Sequence, residues 1–142
     1  MPSDRFLKTM NAVHRFAIRL SSGRLGNRVA GMPTLSLTTI GRRSGQPRSV
    51  MLTAPVVDGD TIVIVASRGG DPTHPAWYLN LRERPDVEVS FQHAPKRKMT
   101  ARTASPEERA LLWPRVVKTY RGYAGYQRRT TREIPLVVLT PA

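Results

Sequence analysis

The chain has 142 residues, no cysteine, and a formal net charge of +13 from 23 Lys plus Arg against 10 Asp plus Glu. That length supports one domain with its own core and no disulfide staples, while the missing thiols exclude cysteine nucleophiles, iron–sulfur clusters and cysteine zinc sites. Only His14, His74 and His93 remain as imidazole ligands, too scattered to suggest a metal centre, and no apolar run approaches the roughly 18 residues of a membrane span.

From the N-terminus, Phe6, Leu7, Met10, Val13, Phe16, Ala17 and Leu20 recur at spacings of one, three and four, which predicts an amphipathic helix over Asp4–Leu20. Arg5, Lys8, Arg15 and Arg19 occupy its other side, Ser3 is a candidate N-cap, and Ser21-Ser22-Gly23 ends it. Residues 23–33 read as a loop or linker, so the expected organisation is a helix and linker over 1–33 and a domain over 34–142. The first part carries +5 and the second +8, so the charge is spread over both. A basic amphipathic helix either packs on its own domain, the favoured reading, or touches an anionic membrane.

At Thr34 the period becomes two: Leu35, Leu37 and Thr39 alternate with Thr34, Ser36 and Thr38, a half-buried strand. Gly41–Pro47 turns the chain into a second strand, roughly Arg48–Val57, and Asp58-Gly59 signals a hairpin. Thr61–Ala66 is a β-branched run expected at the centre of a sheet. Pro75–Arg84 reads as a helix stopped by Pro85. Val87, Val89 and Phe91 alternate again, with Lys98–Thr103 as hairpin partner. Ser105-Pro106-Glu107-Glu108 has the cap, first-turn proline and acids of a helix start, and that helix is expected to reach Tyr120, with a kink near Pro114. Gly122–Thr130 is a short helix or turn, and Ile134–Thr140 a final buried strand. Five or six strands joined by hairpins cannot be parallel, so the expectation is an antiparallel α+β domain shaped as a small barrel, not a dinucleotide-binding sheet.

Four segments carry candidate chemistry. Arg42, Arg43, Ser44 and Arg48 surround Gly41 and Gly45, a turn whose amides and guanidiniums suit an anion, although as a lone motif it reads equally as a solvated hairpin. It lacks the ending of a phosphate-binding Walker loop. Ala66, Ser67 and Arg68 follow the most apolar strand, where a hydroxyl and a cation at the mouth of a barrel could face a ligand, although in isolation the segment reads first as an ordinary strand-ending loop. Trp77 and Tyr78 offer a stacking wall, or plain core packing. Tyr120, Tyr123 and Tyr126 fall at i, i+3 and i+6, which on a helix aligns three phenols on one face. No carboxylate pair has the setting for acid–base work, so any reaction is expected to use a bound organic cofactor.

In order and spacing, Leu37–Gly45, Val65–Gly70, His74–Leu81, Tyr123–Gln127 and Arg132–Pro135 resemble the deazaflavin (F420)-dependent nitroreductases of actinobacteria, a family that includes quinone reductases. The resemblance covers about residues 34–142, with a family-typical N-terminal helix before it. It implies a split β-barrel of the FMN-binding, pyridoxamine-phosphate-oxidase-like kind, and coenzyme F420, an 8-hydroxy-5-deazaflavin with a phosphodiester and polyglutamate tail, in preference to FMN. By the same resemblance Arg43, Ser44 and Arg48 hold the phosphate and acidic tail, and Met51 lies near the ring; Arg42, in the same cationic turn, is expected to converge on that polyanion with them. Ala66, Ser67 and Arg68 lie beside ring and phosphate, and Trp77 and Tyr78 on the pocket wall. Ser67, Tyr120, Tyr123 and Tyr126 then take the catalytic, substrate-facing roles. The implied activity is hydride transfer from reduced F420 to a quinone, enone or activated nitroaromatic; the alternative is a non-catalytic F420-binding module. The expected partner is a small-molecule acceptor and not nucleic acid, because no stacking motif or recognition helix is visible. A soluble, cytoplasmic monomer is expected, with residues 1–33 the candidate for peripheral membrane contact.

Overall fold

The computed structural model describes residues 28–142. The expected helix at Asp4–Leu20 lies outside the described residues, as does the membrane-contact segment up to residue 27.

Eight strands and three helices follow in chain order: β1 Arg28–Val29, β2 Met32–Ile40, β3 Pro47–Thr53, β4 Val56–Asp58, β5 Thr61–Val65, α1 Ala76–Glu83, β6 Asp86–Phe91, β7 Arg97–Thr103, α2 Pro106–Thr119, α3 Gly122–Arg128 and β8 Leu136–Pro141. A three-residue 3-10 turn, Arg68–Gly70, lies between β5 and α1. Every strand pairing is antiparallel. Two local expectations change. Pairing begins before Thr34, because Arg28 and Val29 fold back on Pro33 and Met32. The single strand expected over Arg48–Val57 is two strands, because Pro55 has no N–H for a ladder.

That break shapes the sheet. Its strand order is β3-β2-β6-β7-β8-β5-β4, with the short β1 also on β2. The two outermost strands, β3 and β4, are separated by only Ala54 and Pro55, so the sheet must curl until its ends meet. No ladder joins β3 to β4 among the described residues, and the result is a split, curled half-barrel.

Curling creates two cores, which explains the uninterrupted apolar runs of β5 and β8. Ile62 and Ile64 of β5, with Val137 and Leu139 of β8, point into the barrel with Leu35, Leu37, Tyr78 and Leu81. Val63 and Val65, with Leu136, point outward under α2 and α3, where Val116, Tyr123, Ile134 and Met32 complete the second core. A strand buried on both faces has no reason to alternate. α1 packs into the first core through Tyr78 and Leu81. α2 starts in a complete capping box, in which the Ser105 hydroxyl accepts the Glu108 N–H and the Glu108 carboxylate accepts the Ser105 N–H. It runs through Pro114 to Thr119, and among the described residues no helix is long and apolar enough to cross a membrane.

Candidate active site

The edge strand β3 organises the candidate site. Among the described residues it pairs only with β2, and it is exposed from Pro47 to Ser49 and half-buried from Val50 to Thr53. Side chains alternate along it: Val50 and Leu52 pack against the barrel core, while Ser49, Met51 and Thr53 share the opposite face.

At one end lies the Gly41–Pro47 turn. The Gly45 N–H donates to the Gly41 carbonyl and the Gly41 N–H to the Gln46 carbonyl, both at 2.8 Å. Gly45 sits at φ +69°, a left-handed conformation that glycine adopts without strain. The Ser44 hydroxyl accepts the Gln46 N–H at 3.2 Å and so organises the turn it decorates. Arg43, Ser44 and Arg48 are exposed. Arg42 differs: its N–H and its guanidinium both donate to the side-chain oxygen of Asn80 on α1, at 3.1 and 3.0 Å. Asn80 is buried and its amide donates to the Thr39 hydroxyl, so it pins this turn to α1. From Thr34 to Val57 the chain contains no Asp or Glu, which leaves the turn strongly cationic.

Thr53 closes the other end. Its hydroxyl bonds that of Tyr123 at 2.8 Å, and the same phenol donates to the Met32 sulfur at 3.8 Å. Tyr123 is only 5% exposed, and burial pushes its phenol up to about 12. Its ring meets Tyr120 and Tyr126 edge-on at centroid distances of 5.2 and 6.1 Å. The central tyrosine is therefore the buried keystone of the trio, and its neighbours flank it, both half-buried. Burial, followed by a hydrogen bond with Tyr120, raises the Tyr126 phenol above its ordinary value.

The third component is the loop after β5. Arg68, Gly69 and Gly70 have φ of +47°, +64° and +83°, following Ser67 in right-handed geometry. Such reversals turn successive backbone N–H groups into an anion-binding concavity. A Cβ on Gly70 would stand 2.7 Å from the Tyr126 carbonyl oxygen and 3.1 Å from its Cα, so the loop lies directly on α3. The Arg68 guanidinium bends back to Asp71 and Thr73. Thr73 holds the Asp71 carboxyl below the usual carboxylate range, helped by the Arg68 charge.

Three further expected contact residues lie in or beside the first core. Tyr78 is buried, with its hydroxyl on Thr103 at 2.9 Å and the His74 ring against it at 4.9 Å, so it packs the first core. Ala66 is fully buried; its N–H donates to the Pro135 carbonyl and its own carbonyl accepts from Arg132. Trp77 is half-buried at the margin of the same core. Thr53, Asn80 and Arg132 were not singled out from the sequence: Asn80 and Arg132 lie inside segments that carry the family resemblance, but the partners of all three are distant along the chain.

The residues along β3 and both loops fit an elongated ligand with an anionic tail and a flat head. Cationic side chains gather at the turn, with no acid from Thr34 to Val57, and backbone N–H groups at Ser67–Gly69, where Arg68 pairs with Asp71; Met51 lies two residues from Thr53 on the same face of β3. Residues 10–141 match the family described as F420H(2)-dependent quinone reductase. The chain belongs to that family. An F420H(2)-dependent quinone reductase of Mycobacterium tuberculosis is 44% identical over 133 residues, covering 90% of this chain and 87% of the relative. Among solved structures, an F420-H2 dependent reductase, FDR-A, superposes with a TM-score of 0.67 at 39% identity, over 75% of this chain and 93% of that one. A chain described as a domain-swapped dimer gives a TM-score of 0.68 at 35% identity, over 93% and 98% of the two chains. A more distant likeness, to a pyridoxamine 5'-phosphate oxidase from Listeria innocua (TM-score 0.53, 13% identity, 76% and 82% covered), shows the shared fold alone.

Proposed function

We propose that this chain is an oxidoreductase that passes a hydride from reduced F420 to a quinone, with enones and activated nitroaromatics as acceptors of the same chemistry. The observation that carries this reading is the accessible edge strand β3, with a cationic turn at one end and the tyrosine group at the other. At about 3.4 Å per residue, Arg48 and Thr53 lie roughly 17 Å apart, room for an extended cofactor along one rail.

Reduced F420, once bound, supplies the hydride. Arg43, Arg48 and Ser44 would hold its anionic tail, and Arg42, braced by Asn80, keeps the turn in register. Ser67 and the N–H groups after it face the phosphate, with Arg68 adding charge. Met51 would face the flat ring, and Trp77 lies at the margin of the first core. Tyr120 and Tyr126 serve the acceptor. A quinone that receives a hydride gains an oxyanion, and donors aimed at that oxygen stabilise the transition state. With its phenol raised, Tyr126 keeps its proton at neutral pH and remains a donor. The Tyr123 hydroxyl is engaged by Thr53, so Tyr123 sets the spacing of the other two.

Each of these residues comes from one chain, so a single copy suffices. Light scattering at the 15.9 kDa chain mass is the expected result, and twice that mass would mean a dimer, as in the domain-swapped relative. The activity test mixes the purified protein with reduced F420 and menadione under anaerobic conditions. Enzyme-dependent re-oxidation of the cofactor is expected. No re-oxidation, together with no change in F420 fluorescence on titration, would end this reading.

A further inference from the structure

The segment between α3 and β8 contains an arginine whose guanidinium donates to three backbone carbonyls. Arg132 Nη2 donates to the Ser67 carbonyl at 2.7 Å, Nη1 to the Ala66 carbonyl at 3.1 Å, and Nε to the Asp71 carbonyl at 2.9 Å. Nη1 also meets Nδ1 of His74 at 3.1 Å, so that nitrogen accepts and the imidazole proton sits on Nε2. One planar fork thus grips both ends of a loop that begins at Ala66 and returns by His74.

That loop needs a grip. Arg68 adopts a positive φ without being glycine, and two more left-handed residues follow. Backbone in such regions persists only when its surroundings over-determine it. Arg132 is itself held: its N–H donates to the Thr130 hydroxyl at 3.3 Å, and its carbonyl accepts from the Gln127 amide at 2.7 Å. Gln127 lies on α3, the helix that carries Tyr123 and Tyr126 and rests on Gly70. A continuous set of hydrogen bonds and contacts therefore links the acceptor-side tyrosines to the cofactor-side loop, with Arg132 at its centre.

We propose that Arg132 is a positioning residue for cofactor binding: by clamping the carbonyls of Ala66, Ser67 and Asp71, with the Gly70 N–H closing onto the same Ser67 carbonyl at 2.9 Å, it turns the N–H groups of Ser67–Gly69 toward the ligand and sets their distance from the tyrosines. The planar fork is the essential feature, because a lysine ammonium is a point charge that cannot hold three divergent carbonyls in one plane. This inference rests on the F420 reading above, and it makes a prediction independent of that reading. In the cofactor-free protein, amide hydrogen exchange at Ser67–Asp71 should quicken on R132K while β2, β5 and β8 stay protected.

The experiment compares wild type with R132K and R132M in two measurements. One is hydrogen exchange of the free protein; the other is F420 affinity, from the change in cofactor fluorescence on titration with protein. Misplacing a binding group by about 1 Å can cost on the order of 100-fold, so affinity should fall about 10- to 100-fold in R132K, which retains the charge. The same substitution should raise the KM for reduced F420 more than the KM for menadione. Unchanged loop exchange and unchanged affinity in a folded R132K would overturn the proposal, and so would an affinity loss confined to R132M, which would make charge and not geometry the cause. Should R132M fail to fold, R132K decides alone. Wild-type protein that binds no F420 would instead sink the cofactor reading, while the exchange measurement would still judge the clamp.

Discussion

Replacing Gly70 by alanine tests whether the Ser67–Gly70 loop and α3 form one packed unit. Two penalties add at this position. At φ +83° an L-residue is strained by roughly 1–2 kcal/mol. The new methyl would also stand 2.7 Å from the Tyr126 carbonyl oxygen, 3.0 Å from the Arg129 Cβ and 3.1 Å from the Tyr126 Cα. Two of these atoms belong to helix backbone and cannot swing aside, so the loop or α3 must move, an overpacking cost of about 1–3 kcal/mol. The sum, about 2–5 kcal/mol, should be read in urea unfolding with an unchanged m-value. Gly59→Ala is the matched control: its φ is +61°, but an added Cβ there meets nothing within 4 Å, so it carries the first penalty without the second. The difference between the two variants isolates the contact, and Gly70→Ala should also weaken F420 binding where Gly59→Ala does not. Equal destabilisation by both would refute the close approach of loop and helix, and with it the coupling of the two halves of the site.

Three further outcomes follow from the same geometry. Tyr123→Phe removes the bond to Thr53 and should cost about 1 kcal/mol in stability while leaving most turnover, whereas Tyr126→Phe should lower kcat with little change in unfolding midpoint; the reverse pattern would move the acceptor role to Tyr123. Burial, with the Arg132 charge behind it, holds His74 below the ordinary imidazole value. The unfolded chain therefore takes up this proton first, so His74 contributes stability above pH 6.5 that is lost as pH falls toward the depressed folded value, and a His74→Gln variant should show a flatter stability profile across that window. The Arg102 hydrogen bond, then the Ser105 N–H, lowers the Glu108 carboxyl to about 2, so its contribution is complete above pH 4.5 and lost as pH drops from 4.5 through about 2. Ser105→Ala should remove about 1 kcal/mol of capping energy at neutral pH, measurable by thermal unfolding, and narrow that acid dependence.

Periodicity along the chain was enough to locate most elements from Thr34 onward, because burial on one face writes itself into neighbouring residues. The capping box of α2 and the Asp58-Gly59 hairpin were legible for the same reason: each is closed within four residues. The cationic character of the turn around Arg43, Ser44 and Arg48 was also local, with no acid from Thr34 to Val57. Partners far apart along the chain were not legible. No spacing rule joins Thr53 to Tyr123, 70 residues apart, or Arg42 to Asn80, 38 apart. The three tyrosines illustrate the limit. Their i, i+3, i+6 spacing puts them on one helix face, but only the curl of the sheet, forced by the two-residue link between β3 and β4, brings Thr53 under Tyr123 and buries it between its neighbours. Likewise the motif containing Arg132 stands out in the sequence, yet what its fork holds depends on where β5 ends in space. The opening charge divides in the same way: sequence determined its sign and amount, and tertiary structure decided which cations remain open to a ligand and which are spent on the protein's own carbonyls, because hydrogen bonds are made between neighbours in space.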